Sequence, residues 1–281
     1  MKTGLVLEGG AMRGLFTAGV LDVMMEQGFT VDGIIGVSAG AAFGCNYKSG
    51  QKGRALRYNL NYSKDKRYCS LYSLLRTGDL YGADFCYHEI PEKLDVFDGE
   101  AFTNNPTEFY LVCTDVMSGK PVYHKCETAD YACMEWFRAS ASMPLVSRIV
   151  EVDGYQLLDG GISDSVPLKY FESIGYQKNL VILTQPSDYI KGANKMMPLM
   201  KRALKKYPAL LQTLEKRHLV YNETSEYIRS RRDDDNLLVI QPEQPLPVKR
   251  VERNPEILQK VYDIGRETAH KHLEEIKAFL G

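Results

Sequence analysis

The sequence predicts an α/β protein: a three-layer α/β/α sandwich around a mainly parallel sheet, with a helical region at its C-terminal end. Short, continuous apolar runs that suit buried strands alternate with apolar patterns of helical period. A glycine-rich turn follows the first of these runs, and a Gly-x-Ser-x-Gly pattern follows the second. With 281 residues, of which 44% are hydrophobic, the chain can bury one sizeable core.

Composition and charge exclude several classes of protein. A formal net charge of -1 gives no field that would attract a nucleic acid, so we expect no nucleic-acid partner. The apolar start is too short for a signal peptide, and no stretch approaches the ~20 apolar residues of a membrane span, which predicts a cytoplasmic protein. The six cysteines are scattered, as reduced thiols usually are. A zinc site of Cys113, His124, Cys126 and Cys133 lacks any usual ligand spacing, so we expect no metal.

Two strand-turn-helix units open the chain. The first strand spans residues 4–7, and an apolar helix over residues 15–27 follows it and ends at Gly28. The second strand spans residues 34–37 and runs into Gly36-Val37-Ser38-Ala39-Gly40. This order predicts a nucleophile elbow, in which a serine lies on a sharp turn and Gly36 and Gly40 let strand and helix approach each other.

The glycine turn, Glu8-Gly9-Gly10-Ala11-Met12-Arg13-Gly14, suits an anion, because free amides point outward at the positive end of a helix. A dinucleotide does not fit, since the turn lacks the second glycine of Gly-x-Gly-x-x-Gly and no acidic residue ends the second strand. A nucleoside triphosphate requires a Gly-Lys-Ser/Thr ending that is absent. The remaining ligand is the oxyanion of an acyl-transfer intermediate, which forms beside a serine nucleophile.

The middle of the chain has weaker patterns. Residues 47–105 predict only short helices, at 54–60 and 70–75, which either cover the site or simply connect strands. Further on, the pattern predicts strands at 108–114 and 121–124, a helix at 128–138, and a hairpin at 148–152 and 155–158 with an Asp153-Gly154 turn. The hairpin leads into Asp159-Gly160-Gly161.

The last part of the chain is mostly helical. A helix begins near Pro167, a buried strand follows at 179–184, and apolar residues at helical spacing cross Pro208, which indicates two helices or one kinked helix. Asn254 caps a long closing helix. We therefore divide the chain into a catalytic domain, 1–190, and a helical region packed on it, 191–281.

Four motifs in this order resemble those of the patatin-like phospholipase family. They are the glycine turn, the serine elbow, the Ala139-Ser140-Ala141-Ser142-Met143-Pro144 segment and Asp159-Gly160-Gly161. The resemblance covers residue 3 to about residue 185, and the remainder is similar, more weakly, to the helical tail of bacterial members. It implies a patatin-like fold and a calcium-independent lipid acyl hydrolase of phospholipase A, lysophospholipase or esterase type, with no cofactor.

The resemblance also implies the catalytic residues. Ser38 would be the nucleophile, Asp159 its base, and the amides of Gly9, Gly10 and Ala11 the oxyanion hole. A carboxylate with an ordinary pKa of about 4 is a weak base at neutral pH, so Asp159 must be partly desolvated or act only as the oxyanion forms. The supporting residues would be Arg13, Gly14, Gly36, Gly40, Gly160 and Gly161.

Three positions leave questions open within this assignment. Ala11 stands where the family usually has a third glycine, so we expect a slightly reshaped oxyanion hole with activity intact. Arg13 either holds its loop, meets a phosphate head group, or forms a structural ion pair. Asp164 is a rival base, whose alternative role is to cap the following helix.

Two other functions compete with the dyad. One is a Ser-His-Asp esterase or thioesterase that uses one of the five histidines, although the elbow then usually follows several strands. The other is a non-enzymatic lipid-binding protein on the same fold. We expect a lipid or small ester as the partner, and residues 195–206, basic and apolar at helical spacing, either touch an anionic membrane or form a core helix with a solvated basic face.

Overall fold

The computed structural model describes residues 1–281 and contains one eight-stranded sheet. Its strands are β1 Lys2–Leu7, β2 Gly33–Val37, β3 Glu108–Asp115, β4 Pro121–Lys125, β5 Val150–Val152, β6 Tyr155–Asp159, β7 Tyr176–Ile182 and β8 Leu237–Ile240. Strand β3 pairs with β2, β4 and β6; β5 pairs with β6, and β1, β7 and β8 follow β2 in that order across the sheet. The run from β3 to β8 is parallel, whereas β4, β5 and β6 pair antiparallel with their neighbours. The predicted, mainly parallel sheet is thus confirmed.

Eleven α-helices surround this sheet. They are α1 Gly14–Glu26, α2 Ala39–Lys48, α3 Arg54–Tyr62, α4 Leu71–Thr77, α5 Gly99–Asn104, α6 Tyr131–Ser140, α7 Leu168–Ser173, α8 Met197–Ala203, α9 Pro208–Ser230, α10 Pro255–Lys271 and α11 Leu273–Leu280. A π-helix spans Phe85–Leu94, and single 3-10 turns span Ala11–Arg13 and Gly160–Ile162. The predicted closing helix is divided at His272, where the sequence has neither proline nor glycine to signal a break.

The sheet is buried on both faces, which makes the three layers. Along β1, Leu5 and Leu7 belong to the apolar cluster that contains α1, α2 and α10, while Val6 belongs to the cluster that contains α7 and α9. Strand side chains alternate between the two faces, so a strand covered on both sides must be apolar throughout. This explains the continuous apolar runs from which the strands were predicted.

The C-terminal region also extends the sheet. Strand β8 pairs in parallel with β7, with Leu180 opposite Leu238 and Ile182 opposite Ile240. The sequence analysis had predicted no strand beyond residue 184. The region after residue 190 is therefore helical apart from one edge strand.

Strands β2 and β6 meet end to end along one edge of β3, and this places the site. Strand β4 pairs with one edge of β3, from Tyr110 to Thr114, and β2 pairs with the other edge as far as Val112. Strand β6 pairs with residues 113–115 of β3. Because β4 already occupies its own edge at 113 and 114, β6 lies on the same edge as β2. Because β6 is antiparallel to β3, its last residue, Asp159, lies opposite Cys113, one residue beyond the partner of Val37. Ser38, which follows Val37, and Asp159, which ends β6, are therefore neighbours.

Helices α1 and α10 cross at two glycines. A Cβ on Gly265 would overlap the carbonyl oxygen of Phe16, and a Cβ on Gly19 would overlap the carbonyl oxygen of Tyr262. The two helix backbones thus touch directly, which brings Tyr262 close enough for its hydroxyl to donate to Asp22 at 2.6 Å. This crossing fastens the C-terminal region to the first helix of the fold.

We predict that Gly265→Ala lowers the free energy of unfolding by about 2 kcal/mol, because the added methyl must push two helix backbones apart. Gly192→Ala is the matched control, since a Cβ there meets no atom within 4 Å. Urea unfolding followed by far-UV circular dichroism measures both variants. An equal, small change in the two would contradict the direct backbone contact.

Candidate active site

Ser38 lies at the turn between β2 and α2 in a strained conformation. Its φ of 54° and ψ of -122° are rare for any residue with a side chain. The turn is tight enough that a Cβ on Gly36 would come within 2.6 Å of the Ala41 backbone. A Cβ on Gly40 would come within 2.5 Å of the Leu7 carbonyl oxygen. The predicted elbow is present, and both glycines are needed for the close approach of helix and strand.

Ser140 holds this elbow in place. Its hydroxyl accepts a hydrogen bond from the Ser38 amide at 2.9 Å and donates to the Val112 carbonyl at 2.7 Å. Ser140 is fully buried at the end of α6. The strained turn is therefore tied through one hydroxyl to the strand beside it.

Asp159 ends β6 with its carboxyl in the protein interior. The residue is only 4% exposed, and its Oδ1 accepts a hydrogen bond from the Gly161 amide at 2.7 Å. Its backbone is fixed on both sides, because its amide donates to the Ser142 carbonyl and its carbonyl accepts from the Thr114 hydroxyl. A Cβ on Gly160 would overlap the Val112 carbonyl oxygen, so only glycine allows β6 to come this close to β3.

The environment of Asp159 raises its pKa above the ordinary value of 3.8. Burial is the main cause, since desolvation disfavours the charged form. The charge of Arg217, the proximity of the Ser38 hydroxyl and the hydrogen bond from the Gly161 amide act in the opposite direction and lower the pKa. A carboxyl with a raised pKa that interacts with a serine hydroxyl is suited to remove that hydroxyl's proton.

The glycine turn lies directly against the elbow. A Cβ on Gly9 would come within 2.9 Å of the Val37 carbonyl oxygen and 3.2 Å of the Ser38 Cβ. The amides of Gly9, Gly10 and Ala11 donate to no acceptor in the protein. Free amides are rare in folded proteins. Three of them in one turn beside a serine can together donate hydrogen bonds to an oxygen atom on which negative charge develops.

Ala11 adopts a backbone conformation in the turn that is unfavourable for a residue with a side chain. Its φ is 49°, in the left-handed region where a side chain costs roughly 1–2 kcal/mol. The family's glycine would have no such penalty. Ala11 nevertheless lines the cavity described below together with Ser38.

Arg13 and Gly14 complete the turn. Arg13 forms no ion pair, and its Nε donates to the Thr184 hydroxyl at 3.4 Å, so the structural ion pair suggested by the sequence is not present. Gly14 begins α1, and a Cβ there would lie 2.8 Å from the Ala39 Cβ. Thr184 in turn donates to the buried Glu8, which also accepts from the Tyr221 hydroxyl at 2.7 Å.

A cavity of about 670 Å³ opens at Ser38. Of the 39 residues that line it, 27 are hydrophobic, and many come from α2, α3, the π-helix and α6. The size and lining suit a small lipid or an apolar ester. Residues 47–105, whose patterns were weak in the sequence, thus cover the site through Tyr58, Tyr81 and Phe97 among others.

Comparison with known protein families identifies the family of this chain. The family model described as "Patatin-like phospholipase" matches residues 5–172, which is more than half of the chain. This chain belongs to the patatin-like phospholipase family. A second model, a domain of unknown function, matches residues 207–281.

Relatives of this patatin-like phospholipase come from bacteria and fungi. The uncharacterized protein YjjU of Escherichia coli strain K12 is 28% identical over 94% of this chain and 75% of its own length. An uncharacterized NTE family protein of Mycobacterium tuberculosis is 29% identical over 59% of this chain and 44% of its own. Lysophospholipase nte1 of Aspergillus fumigatus is 28% identical over 61% of this chain and 11% of its own. The chain thus spans less than half the length of two of these three relatives.

Neither Asp164 nor any histidine forms a hydrogen bond with Ser38 or Asp159. Asp164 is hydrogen-bonded by the Tyr123 hydroxyl at 2.9 Å and by the Val166 amide, and it does not line the cavity. Burial raises the pKa of Asp164 to about 6. Among the histidines, His88 pairs with Glu135 and His124 stacks on Trp136, whereas His218 lines the cavity without a hydrogen bond to Ser38 or Asp159.

The basic segment 195–206 forms α8 and its flanks. Met200 and Leu204 are buried in an apolar cluster with Leu210 and Leu214, while Met196 and Leu199 are half exposed. No helix anywhere in the chain combines the length and the apolar character that crossing a bilayer requires.

Several residues at the site were not assigned a role from the sequence. Ser140 lies in the 139–144 segment, but its bridge between Ser38 and Val112 depends on the tertiary fold. Three cations, Lys191, Arg217 and Arg250, line the cavity from positions far apart in the chain. No local pattern marks any of them.

We predict that Ser140→Ala lowers the free energy of unfolding by about 2 kcal/mol, because it leaves the Ser38 amide and the Val112 carbonyl buried without their partner. Ser142→Ala is a fitting control, since the Ser142 hydroxyl only donates to the Arg138 carbonyl within its own helical turn. Chemical denaturation compares the two. Equal stabilities would show that the bridge to the elbow contributes nothing.

Proposed function

We propose that this patatin-like phospholipase hydrolyses carboxylic esters of lipid acyl chains, with Ser38 as nucleophile and Asp159 as its base. The observation that carries the proposal is the juxtaposition of a serine on a strained elbow with a buried carboxyl, at the point where β2 and β6 end side by side on one edge of β3. The name of the fungal relatives, lysophospholipase, supports the substrate class.

The first half of the reaction forms an acyl-enzyme. Asp159 removes the proton from Ser38 Oγ as this oxygen attacks the ester carbonyl carbon. The carbonyl oxygen becomes an oxyanion and accepts hydrogen bonds from the free amides of Gly9, Gly10 and Ala11. When the tetrahedral intermediate collapses, the carbon-oxygen bond to the alcohol breaks, and Asp159 returns the proton to the leaving alkoxide.

The second half releases the acyl chain. Asp159 removes a proton from a water molecule, which attacks the acyl carbon, and Ser38 leaves with the proton that Asp159 returns. The products are a fatty acid and a free enzyme. The apolar lining of the cavity holds the acyl chain throughout, and no step requires a metal or cofactor.

The arrangement of the glycine turn explains why Ala11 is compatible with this scheme. An oxyanion hole uses backbone amides, and the amide of Ala11 is as free as those of Gly9 and Gly10. The methyl group of Ala11 raises the conformational cost of the turn without removing a donor.

We predict that Ser38→Ala and Asp159→Asn each lower kcat for p-nitrophenyl butyrate at least ~10³-fold, because each removes one member of a unit that works together. Asp164→Asn is the control for Asp159→Asn, as it removes the other buried carboxyl of the same loop. Single replacement of each histidine, His218 first, should keep more than about a tenth of kcat. Loss of activity on replacing one histidine, with the fold intact, would favour a Ser-His-Asp mechanism.

We predict that kcat/KM falls as pH drops through the pKa of Asp159, because only the carboxylate can accept the serine proton. Burial places this pKa above 3.8, and Arg217 lowers it by its charge. Arg217→Gln should therefore move the acid limb of the pH profile to higher pH, while Lys216→Gln, on the exposed neighbouring position, should leave it in place. A shift to lower pH on removing Arg217 would argue against Asp159 as the base.

A further inference from the structure

Four cations of the C-terminal region line the cavity, and three of them, Lys191, Arg217 and Arg250, are close enough for their charges to affect one another. Lys191 follows β7, Arg217 lies on α9 and Arg250 follows β8, and all three line the cavity that opens at Ser38. Arg13 from the glycine turn is close enough to affect the pKa of both Lys191 and Arg217 by its charge. The formal net charge of the chain is -1, so this concentration of positive charge is local.

These cations lack the partners that other basic residues of the protein have. Arg54, Arg57, Arg138, Arg231 and Arg266 all form ion pairs with carboxylates, whereas Lys191, Arg217 and Arg250 form none within 4.0 Å. Arg217 donates through Nε to the Gly161 carbonyl, which leaves both of its terminal nitrogens without a protein acceptor. The Lys191 ammonium makes no hydrogen bond and lies 3.9 Å from the centre of the Tyr221 ring.

The cations repel one another. Burial and the nearby charge of Arg217 lower the pKa of Lys191 to about 7, and burial, with Arg250 and Arg13, lowers the pKa of Arg217. Two carboxylates are near: Asp159 affects Arg217, and Glu8 affects Lys191. Glu8 is already engaged by Thr184 and Tyr221, and Asp159 by the Gly161 amide. A bound anion would offset this repulsion.

Phosphate is the anion that fits the donor set. An arginine with two free terminal nitrogens presents the planar fork that pairs with two phosphate oxygens, and a lysine supplies a point charge beside it. Arg217 is bonded to Gly161, two residues from Asp159, so an anion held here lies next to the reacting groups. The acyl chain of the same molecule would extend along the apolar lining from α2, α3 and α6.

We propose that Lys191, Arg217 and Arg250 form a phosphate subsite, and that the preferred substrates are acyl esters whose alcohol carries an anionic phosphate without a cationic amine. This inference rests on the proposed function and names its substrate class. A choline or ethanolamine head group would bring a positive charge among like charges, which costs binding energy. The region matched only by a domain of unknown function thereby contributes two of the three cations of the subsite.

The first test measures selectivity. We expect kcat/KM for octanoyl-lysophosphatidic acid to exceed that for octanoyl-lysophosphatidylcholine by about tenfold or more, with both kept monomeric so that the charge of an aggregate has no influence. Arg250→Gln and Lys191→Gln should each bring this ratio towards one. Lys216→Gln, which removes an exposed charge beside Arg217 on α9, should leave the ratio unchanged. A wild-type ratio near one would overturn the subsite.

The second test measures binding without turnover. Isothermal titration of the Ser38→Ala protein should detect glycerol 3-phosphate but not glycerol, and adding Arg250→Gln should weaken the binding about tenfold. If inorganic phosphate binds as tightly as glycerol 3-phosphate, the ligand is free phosphate and the substrate assignment is wrong. If esters are cleaved but glycerol 3-phosphate does not bind, the subsite fails and the proposed function stands. If glycerol 3-phosphate binds and no ester is cleaved, the proposed function fails and the subsite stands.

Discussion

The site depends on one topological constraint: two strands that run in opposite directions share a single edge of β3. Strand β2 occupies the first part of that edge and β6 the last part, so their ends meet where Val112 and Cys113 are neighbours. Ser38 follows the end of β2 and Asp159 ends β6, and neither could reach the other if β6 paired elsewhere. The close approach requires Gly160, and Ser140 and Thr114 fix the backbone on the two sides of the junction. The proximity of Ser38 and Asp159 is thus a property of the sheet rather than of flexible loops.

The junction also explains why the carboxyl has an unusual pKa. A group at the meeting point of two strands in the interior has little access to water, which raises the pKa of Asp159. Burial favours the protonated form of such a carboxyl, which cannot act as a base, so groups that favour the charged form are needed beside it. The charge of Arg217, the Ser38 hydroxyl and the Gly161 amide each lower the pKa of Asp159 and so offset part of the effect of burial. The catalytic domain and α9 therefore set the basicity of this carboxyl together.

Local patterns in the sequence were sufficient for the elements that build the junction. The apolar runs of β1 and β2 lead into the glycine turn and the serine elbow, and a strand buried on both faces is apolar throughout, so their bounds were predicted within two residues. Ser38 and Asp159 lie in short motifs with glycines that the close approach demands. Strand β8 was missed although its four apolar residues, which follow the charged run from Arg231 to Asp235, form a continuous run of the same kind as that of β1. Lys191, Arg217 and Arg250 were missed for a stronger reason: their proximity is produced only when β8 and α9 pack on the sheet.

The C-terminal region is therefore part of the site and not an appendage to it. It is fastened at two distant points: the glycine crossing of α1 with α10, and the pairing of β8 with β7. Between them, Arg217 reaches the turn after Asp159, and Tyr221 reaches Glu8 at the start of the glycine turn. Both contacts touch a segment that positions a reacting group. A change that loosened either attachment would consequently alter the pKa of Asp159 and the glycine turn, even though neither Ser38 nor Asp159 lies beyond residue 190.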